Sequence, residues 1–391
     1  MSKRLTWSCA ALLAGLVCGA SCVTPASRNQ VDDTGDDTEE TGSGGSTSGT
    51  TDAGSGGDTT GTTDTGNGGD TTGTPEGGNG GTTGVVTSCG LPVPRAAGIA
   101  KPSGAVGGMK VLDWAGMKGA VSYTFDDTNS SQIDHYAELQ GLGVPLTFYL
   151  QTGKSNANDP TWAQALLDGH ELGNHSKSHS RTADAADVDA ATAFLEDTFG
   201  VTPLTMAAPY GDSSYVSVAE TRFLINRGVS NTSVAASSGN RFNLPCHIPA
   251  EDAEASAMDT VVDKAYQAGR WQVVLVHGFT GGTDNAFQPV AIEEFLAHVE
   301  HEKTQPDLWI DSVVHVGAYW VAQNLVADVV PEVDGESTTW SWTLPEHFPP
   351  DQCLRVTVDG GTLSQGGAPV EWDEHGYFEI ALDEGSMTLE P

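Results

Sequence analysis

Positive charge is scarce in this chain. Its 391 residues include 17 Lys+Arg against 52 Asp+Glu, for a formal charge of −35. Phosphate backbones are held by clustered Lys and Arg, so the shortage excludes nucleic acid as a partner. The acids are not confined to one tail. Residues 27–88 hold eleven acids and one base, Arg28, and residues 89–391 still carry −27. Such a surface repels anionic polymers and leaves neutral glycans compatible. Cysteine is sparse too. Cys9, Cys18 and Cys22 lie near the start, which leaves Cys89, Cys246 and Cys353 for the mature domains. Three thiols in an exported protein allow one disulfide and leave one over, and any of the three pairings fits. There is no C-x-x-C, which argues against a zinc knuckle or a thioredoxin-like site.

The start of the chain reads as an export signal. Lys3 and Arg4 precede an apolar run around Leu12, Leu13, Leu16 and Val17 that is too short to span a bilayer as a permanent helix. Gly19-Ala20-Ser21-Cys22 resembles a bacterial lipoprotein processing box, with Gly19 standing where Leu is usual. The expectation is therefore a signal over 1–22, with a lipid anchor on Cys22 as the only link to a membrane. The product would be a cell-surface or outer-membrane lipoprotein, or a freely secreted protein if cleavage falls at Ala20 or Ser21. Residues 23–88 are Gly, Thr, Ser and Asp with almost no apolar side chains, and G-G-D-T-T-G-T occurs twice. Such a segment buries too little surface to offset its chain entropy, so a spacer is expected.

From Cys89 onward, strand-like and helix-like stretches alternate. Strands are predicted at Gly119–Phe125, Val144–Leu150, Gln272–His277 and Leu308–Val314, with Thr205–Tyr210 a strand or loop. Helices are predicted at Ser131–Leu142, Thr161–Leu167, Asp187–Phe199, Val218–Asn226, Val290–Glu300 and His315–Leu325. That alternation implies an α/β domain over 89–326, with parallel strands wrapped by helices and active residues at the carboxyl ends of the strands. From about 327 to 391 short alternating runs between turn clusters predict a small all-β appendage. Trp340 and Trp342 are two apart and so share a face. They suit either core packing or stacking on sugar rings.

The chemistry concentrates in four places. Asp126 and Asp127 end the first strand. His175 and His179 follow some fifty residues later, then Pro209-Tyr210, then His277 at the end of another strand. One carboxylate, two imidazoles and an open position form a usual shell for catalytic zinc, and a second carboxylate beside the first suits a general base. Side chains alternate along a strand, so the adjacent aspartates are expected to point in different directions. Each motif alone would more often be a solvated turn, a surface histidine or a structural core histidine. The other eight histidines have no comparable context.

Taken in order, Thr124-Phe125-Asp126-Asp127, His175-Ser176-x-x-His179, Ala208-Pro209-Tyr210-Gly211 and Leu275-Val276-His277 resemble the polysaccharide deacetylases, the NodB-homology group or carbohydrate esterase family 4. Gly169–His175 and Val144–Tyr149 also resemble that family's text, and the likeness spans roughly residues 105–325. It implies a distorted (β/α) barrel and a hydrolase that removes acetyl groups from a glycan: a polymer of N-acetylglucosamine, or acetylated xylan. It implies Zn²⁺, with Co²⁺ as another divalent option, held by Asp127, His175 and His179. It implies Asp126 as base, His277 as acid, the Tyr210 backbone N–H as oxyanion donor, Leu275 and Pro209 lining the substrate pocket, and Ser176 orienting the ligand loop.

The chain departs from the family's pattern in three places. Ala207 stands where an Arg usually pairs with the base, although some subgroups read A-x-P-Y-G, and Arg241 is the substitute suggested. No D-W motif tunes the acid, and Asp311 is the residue suggested for that role. Thr128 replaces the usual Gly. Two other classes compete. Val274–Gly282 resembles the oxyanion loop of a serine hydrolase, but no G-x-S-x-G elbow occurs. A glycan-binding lipoprotein that has lost catalysis would explain the missing Arg, but it would have no reason to keep both an acid and a base.

Overall fold

The computed structural model describes residues 89–391, all within one compact unit. The expected signal, the Cys22 anchor and the spacer lie outside the described residues.

The chain forms β1 (Lys110–Val111), then seven strands of one parallel sheet: β2 (Gly119–Phe125), β3 (Thr147–Leu150), β4 (Glu171–Asn174), β5 (Thr205–Ala207), β6 (Ile225–Arg227), β7 (Trp271–Val276) and β8 (Leu308–Ile310). Their order is β6-β5-β4-β3-β2-β7, with β8 also beside β2. All seven residues of β2 are buried, and successive residues feed opposite sides. Ala120 joins one hydrophobic cluster with Trp271, Val273 and Leu275. Val121, Tyr123 and Phe125 join another with Val274, Val276 and Phe295. Both faces of this sheet are covered, as parallel sheets require. Phe125 stacks on Phe148 at 5.1 Å between ring centroids, and its truncation to Ala would cost about 3–5 kcal/mol.

The sheet curls into the expected barrel, with two distortions. One edge of β2 is shared: Thr124–Phe125 pair with β3, while Gly119–Val121 pair with β8. Between β6 and β7 there is no regular strand. Instead, residues 244–247 bridge the gap, with Leu244 bonded to Asn226 and Gly228, and His247 to Val273 and Leu275.

The helices cover the outside. Ser131–Leu142 is two short helices, Ser130–Asp134 and Tyr136–Gly141, broken at His135. Asp187–Phe199 belongs to Ala185–Phe199, ended by Gly200 at φ 70°, a left-handed stop that glycine adopts without a Cβ penalty. The helix expected at Val218–Asn226 is a correction. The helix is Tyr215–Ala219, and Phe223-Leu224-Ile225 leads into buried β6. A short apolar run fits either period, and pairing with β5 decides for strand. Strand β8 stops at Ile310, and Val313–Ala327 is helix. The helix Ala255–Gln267 was not expected.

The C-terminal region is all β, as expected. β9 (Glu332–Asp334), β10 (Ser337–Ser341), β11 (Cys353–Thr357), β12 (Thr362–Gln365), β13 (Ala368–Pro369), β14 (Trp372–Asp373), β15 (Tyr377–Ala381) and β16 (Ser386–Glu390) form two sheets, β1-β11-β15-β14 and β13-β12-β16-β10-β9. Trp340 and Trp342 are buried in the same cluster as Trp271 and Trp320, so they are core and not a sugar platform. Among the described residues, Cys89 and Cys353 form a disulfide and Cys246 is a buried free thiol. Arg355 is fully buried on β11. It donates from Nη1 to the carbonyls of Pro92 and Ala115, and from Nε to Glu379.

Candidate active site

Six of the seven strands of the sheet deliver residues at or just beyond their carboxyl ends: Asp126 and Asp127 after β2, Gln151 after β3, His175 after β4, Pro209-Tyr210 after β5, Arg227 at the end of β6 and His277 after β7. Parallel strands put all these ends on one rim, and helix-covered faces leave that rim as the open place for chemistry.

The two aspartates do not simply alternate. β2 ends at Phe125, and Asp127 and Thr128 take left-handed backbones, φ 74° and 56°. This bend turns both carboxylates toward one imidazole. His175 Nε2 lies 3.6 Å from Asp126 Oδ2 and 3.3 Å from Asp127 Oδ1. Conformations like these cost L-residues roughly 1–2 kcal/mol each. The Thr128 hydroxyl offsets part of that by accepting the Gln151 N–H at 2.7 Å. The glycine usual at position 128 would take this backbone without penalty.

The histidine loop is built from the end of β4. Asn174 donates to the Val188 carbonyl and accepts the Ser176 N–H at 2.7 Å. Ser176, at φ 59°, accepts the His179 N–H on its Oγ at 3.0 Å. Asp187 receives the N–H groups of Lys177 and Ser178. Ser176 thus holds the loop that carries both histidines.

His175 donates from Nδ1 to the Ala207 carbonyl at 2.8 Å, which leaves Nε2 facing the site. His179 Nε2 lies 3.2 Å from Asp127 Oδ1. One ligand atom each from Asp127, His175 and His179 lie within 4.8 Å of one another. An oxygen and two imidazole nitrogens suit a borderline divalent cation such as zinc, so the donors fit the expected group. Burial works against the Asp127 carboxylate, but the hydrogen bond and charge of His175, with His277 and His179 nearby, hold its pKa well below the usual range. Burial, and then His175, push His179 down to about 4. Burial works against a charge on His175, but Asp126 and Asp127 raise its pKa overall, so His175 gives up its Nε2 proton when it ligates a metal.

Asp126 is buried, and its partner is Arg227, not Arg241. The Arg227 guanidinium, fully buried, donates from Nη2 to Asp126 Oδ2. Arg241 lies instead in a short turn, Arg241–Asn243, with its guanidinium over the Phe242 ring beside a cavity of about 450 Å³ that Trp320 and Asn324 also line. Asp126 Oδ1 is buried with no hydrogen-bond partner among the described residues, and the same holds for His277 Nδ1. Gln132 Nε2 donates to the carbonyls of both Asp126 and His277, tying the two loops together. Burial lowers the His277 pKa, with Asp126 and Asp127 pulling the other way.

Tyr210 occupies a left-handed position, φ 56°, between Pro209 and Gly211, and its half-exposed ring lies 4.5 Å from that of His179. Pro209 is buried beside it. Leu275 is buried in the barrel cluster, two residues before His277. Asp311 is corrected. Its Oδ1 accepts from His315 Nδ1 and the Ser312 N–H, and its Oδ2 from Trp309 Nε1, so both oxygens are engaged away from His277.

Residues 115–225 match the family model described as polysaccharide deacetylase. No curated protein matches this chain. Solved structures similar to it include the peptidoglycan deacetylase PdaC from Bacillus subtilis, at 16% identity over 50% of this chain and 89% of that chain, TM-score 0.34. A family 4 acetyl xylan esterase from Clostridium thermocellum in complex with a cobalt ion has the same identity and coverage, TM-score 0.35. Puue allantoinase, at 12% identity over 53% of this chain and 91% of that chain, reaches a TM-score of 0.42. Over residues 115–225, which contain both aspartates, both loop histidines and Tyr210, this chain matches the polysaccharide deacetylase family that its ordered motifs resemble.

Proposed function

We propose that this protein is a divalent-metal-dependent glycan deacetylase. The observation that carries the reading is the convergence on one rim of a ligand set, Asp127, His175 and His179, with two buried polar atoms, Asp126 Oδ1 and His277 Nδ1, that have no hydrogen-bond partner among the described residues. Buried polar groups are ordinarily satisfied, so two left open at one rim mark a place where substrate and water complete the bonding.

A divalent cation bound by Asp127, His175 and His179, with zinc first and cobalt second, supplies Lewis acidity for an acetyl carbonyl and for a water. The chain's own groups do the rest. Arg227 fixes Asp126 through Oδ2 and leaves Oδ1 to accept a proton from the attacking water. The Tyr210 N–H, in its turn beside His179, is the donor for the oxyanion. His277 holds a proton for the departing sugar amine or alkoxide. Burial favours the neutral His277 ring, and the charges of Asp126 and Asp127 favour the protonated one. Leu275 and Pro209 flank the acetyl methyl. Export, and lipid attachment at Cys22, belong to the same proposal and rest on the amino-acid sequence.

The test is acetate release from chitooligosaccharides, acetylxylan and peptidoglycan by the purified chain, as isolated, after chelation and after Zn²⁺ is restored. Metal-dependent release that drops by about 10²–10⁴ in Asp126→Asn is expected. Release unaffected by chelation, or no release from any of the three polymers, sinks the proposal.

A further inference from the structure

The helices Ala255–Gln267 and Ile292–Glu302, which flank β7 and its rim residue His277 in the chain, pack against each other. Their contact holds a second concentration of titratable groups. Asp259 and Asp263 are one turn apart on the first helix; His298, His301 and Glu302 lie on the second. Glu302 is fully buried, and neither of its carboxylate oxygens has a hydrogen-bond partner among the described residues. His298 Nδ1 lies 3.8 Å from Glu302 Oε1, and that nitrogen is already engaged with Asp259 Oδ1 at 2.6 Å. The other His298 nitrogen meets the Tyr123 hydroxyl at 3.1 Å.

A buried carboxylate of this kind is costly in either protonation state. Ionised and unpaired, it loses several kcal/mol of hydration. Protonated, it has a hydroxyl with nothing to receive it. A cation removes both costs. Oxygen or nitrogen atoms of Asp259, His301 and Glu302 lie within 4.8 Å of one another. His301 is 40% exposed and Asp259 21% exposed at their side chains, so the group opens to solvent while Glu302 closes its floor. Asp263, 3.6 Å from His301 Nε2, and Gln305, bonded to Asp263, rim the opening. Both His298 nitrogens are occupied by short contacts, whereas His301 Nε2 meets Gln305 Nε2 only at a long 3.4 Å, so His301 is the imidazole available to ligate.

We propose that these two helices hold a second divalent-cation site, formed by Asp259, His301 and Glu302. One imidazole and two carboxylates suit a first-row ion such as Zn²⁺. The ion would pin the helix pair that backs β2 and β7, a structural role separate from the rim.

The test is the Zn²⁺ stoichiometry of the full chain after chelation, measured by titration calorimetry and metal analysis. The wild type is compared with His301→Ala, Asp259→Asn and His179→Ala, and the thermal midpoint is followed with and without Zn²⁺. Two equivalents are expected for wild type and one for each single variant. The Zn²⁺-induced rise in midpoint should persist in His179→Ala and shrink in His301→Ala. His301 and Asp259 are partly exposed, so these variants should fold, and acetate release should be unchanged in both. One equivalent that His301→Ala removes and His179→Ala keeps would support this site while counting against the metal reading of the rim. A stoichiometry and midpoint response that neither His301→Ala nor Asp259→Asn alters would overturn the proposal.

Discussion

Arg227 stands directly across from Ala207, in register on the neighbouring parallel strand, and from there its guanidinium reaches Asp126. The charge that the family's pattern places on β5 is therefore supplied from β6, at the same level of the barrel. Arg227→Ala leaves Asp126 buried without its cation. It should lower acetate release by about 10²–10³ and stability by about 3–5 kcal/mol. Arg227→Lys keeps the charge but not the planar fork, and should fall between. The sharper measurement is the exchange. Ala207→Arg added to Arg227→Ala should recover part of the lost activity, and no recovery at all would show that the position on β6 itself matters.

Metal retention should divide the site differently. His179→Ala removes one of the three proposed ligands and should release the proposed rim ion at chelator concentrations that leave the wild type loaded. Arg227→Lys should retain it. Metal analysis after dialysis against a graded chelator series separates these cases without reference to turnover.

His170 gives the fold an acid-sensitive joint. Its Nδ1 accepts the Leu146 N–H at 3.0 Å and its Nε2 meets Gln140 Oε1 at 2.8 Å, so it is held neutral. Burial pushes its pKa down to about 4. The unfolded chain, with an ordinary histidine near 6.5, binds the proton first, so stability falls as pH drops from about 6.5 toward 4, by up to about 3 kcal/mol. His170→Asn removes that dependence. Denaturant titrations should show the variant's deficit to be larger at pH 7 than at pH 5.

The two cysteine environments predict opposite behaviour. Burial pushes the Cys246 thiol up to about 11, so it should resist thiol reagents until the protein unfolds. Cys246→Ser should leave the native thiol titre unchanged and lower the denatured titre by one per chain. Reducing Cys89–Cys353, which joins residues 264 apart, should cost about 2–5 kcal/mol and lower the melting temperature measurably.

Much of this was legible from local pattern. Gly119–Phe125 reads as a strand because apolar, aromatic and β-branched residues run unbroken to two carboxylates, and the strand has those bounds. Asp127, His175 and His179 meet because each follows a strand of one parallel sheet. Arg227 was missed for a physical reason. Its strand is three residues long, too short to show a period, and its role depends on register between strands, which spacing within a motif does not encode. The opposed directions expected for Asp126 and Asp127 failed because alternation ends where the strand does, one residue before the pair. Arg241 and Asp311 were chosen by residue type near the right segments, and each has its own local partners. The β region was visible as alternation, but that its tryptophans share a core with the barrel is a fact of packing alone.

The joining of Cys89 to Cys353, and of β1 to β11, bears on the order in which the molecule can be completed. During synthesis the segment around residues 89–116 emerges before every barrel strand, while its strand partner, its disulfide partner and the buried Arg355 that holds its carbonyls emerge after all of them. The first of the described residues therefore wait for partners made after the whole barrel. A chain that stops early, even with every barrel strand made, has both ends open, so the fold checks its own completeness before it closes.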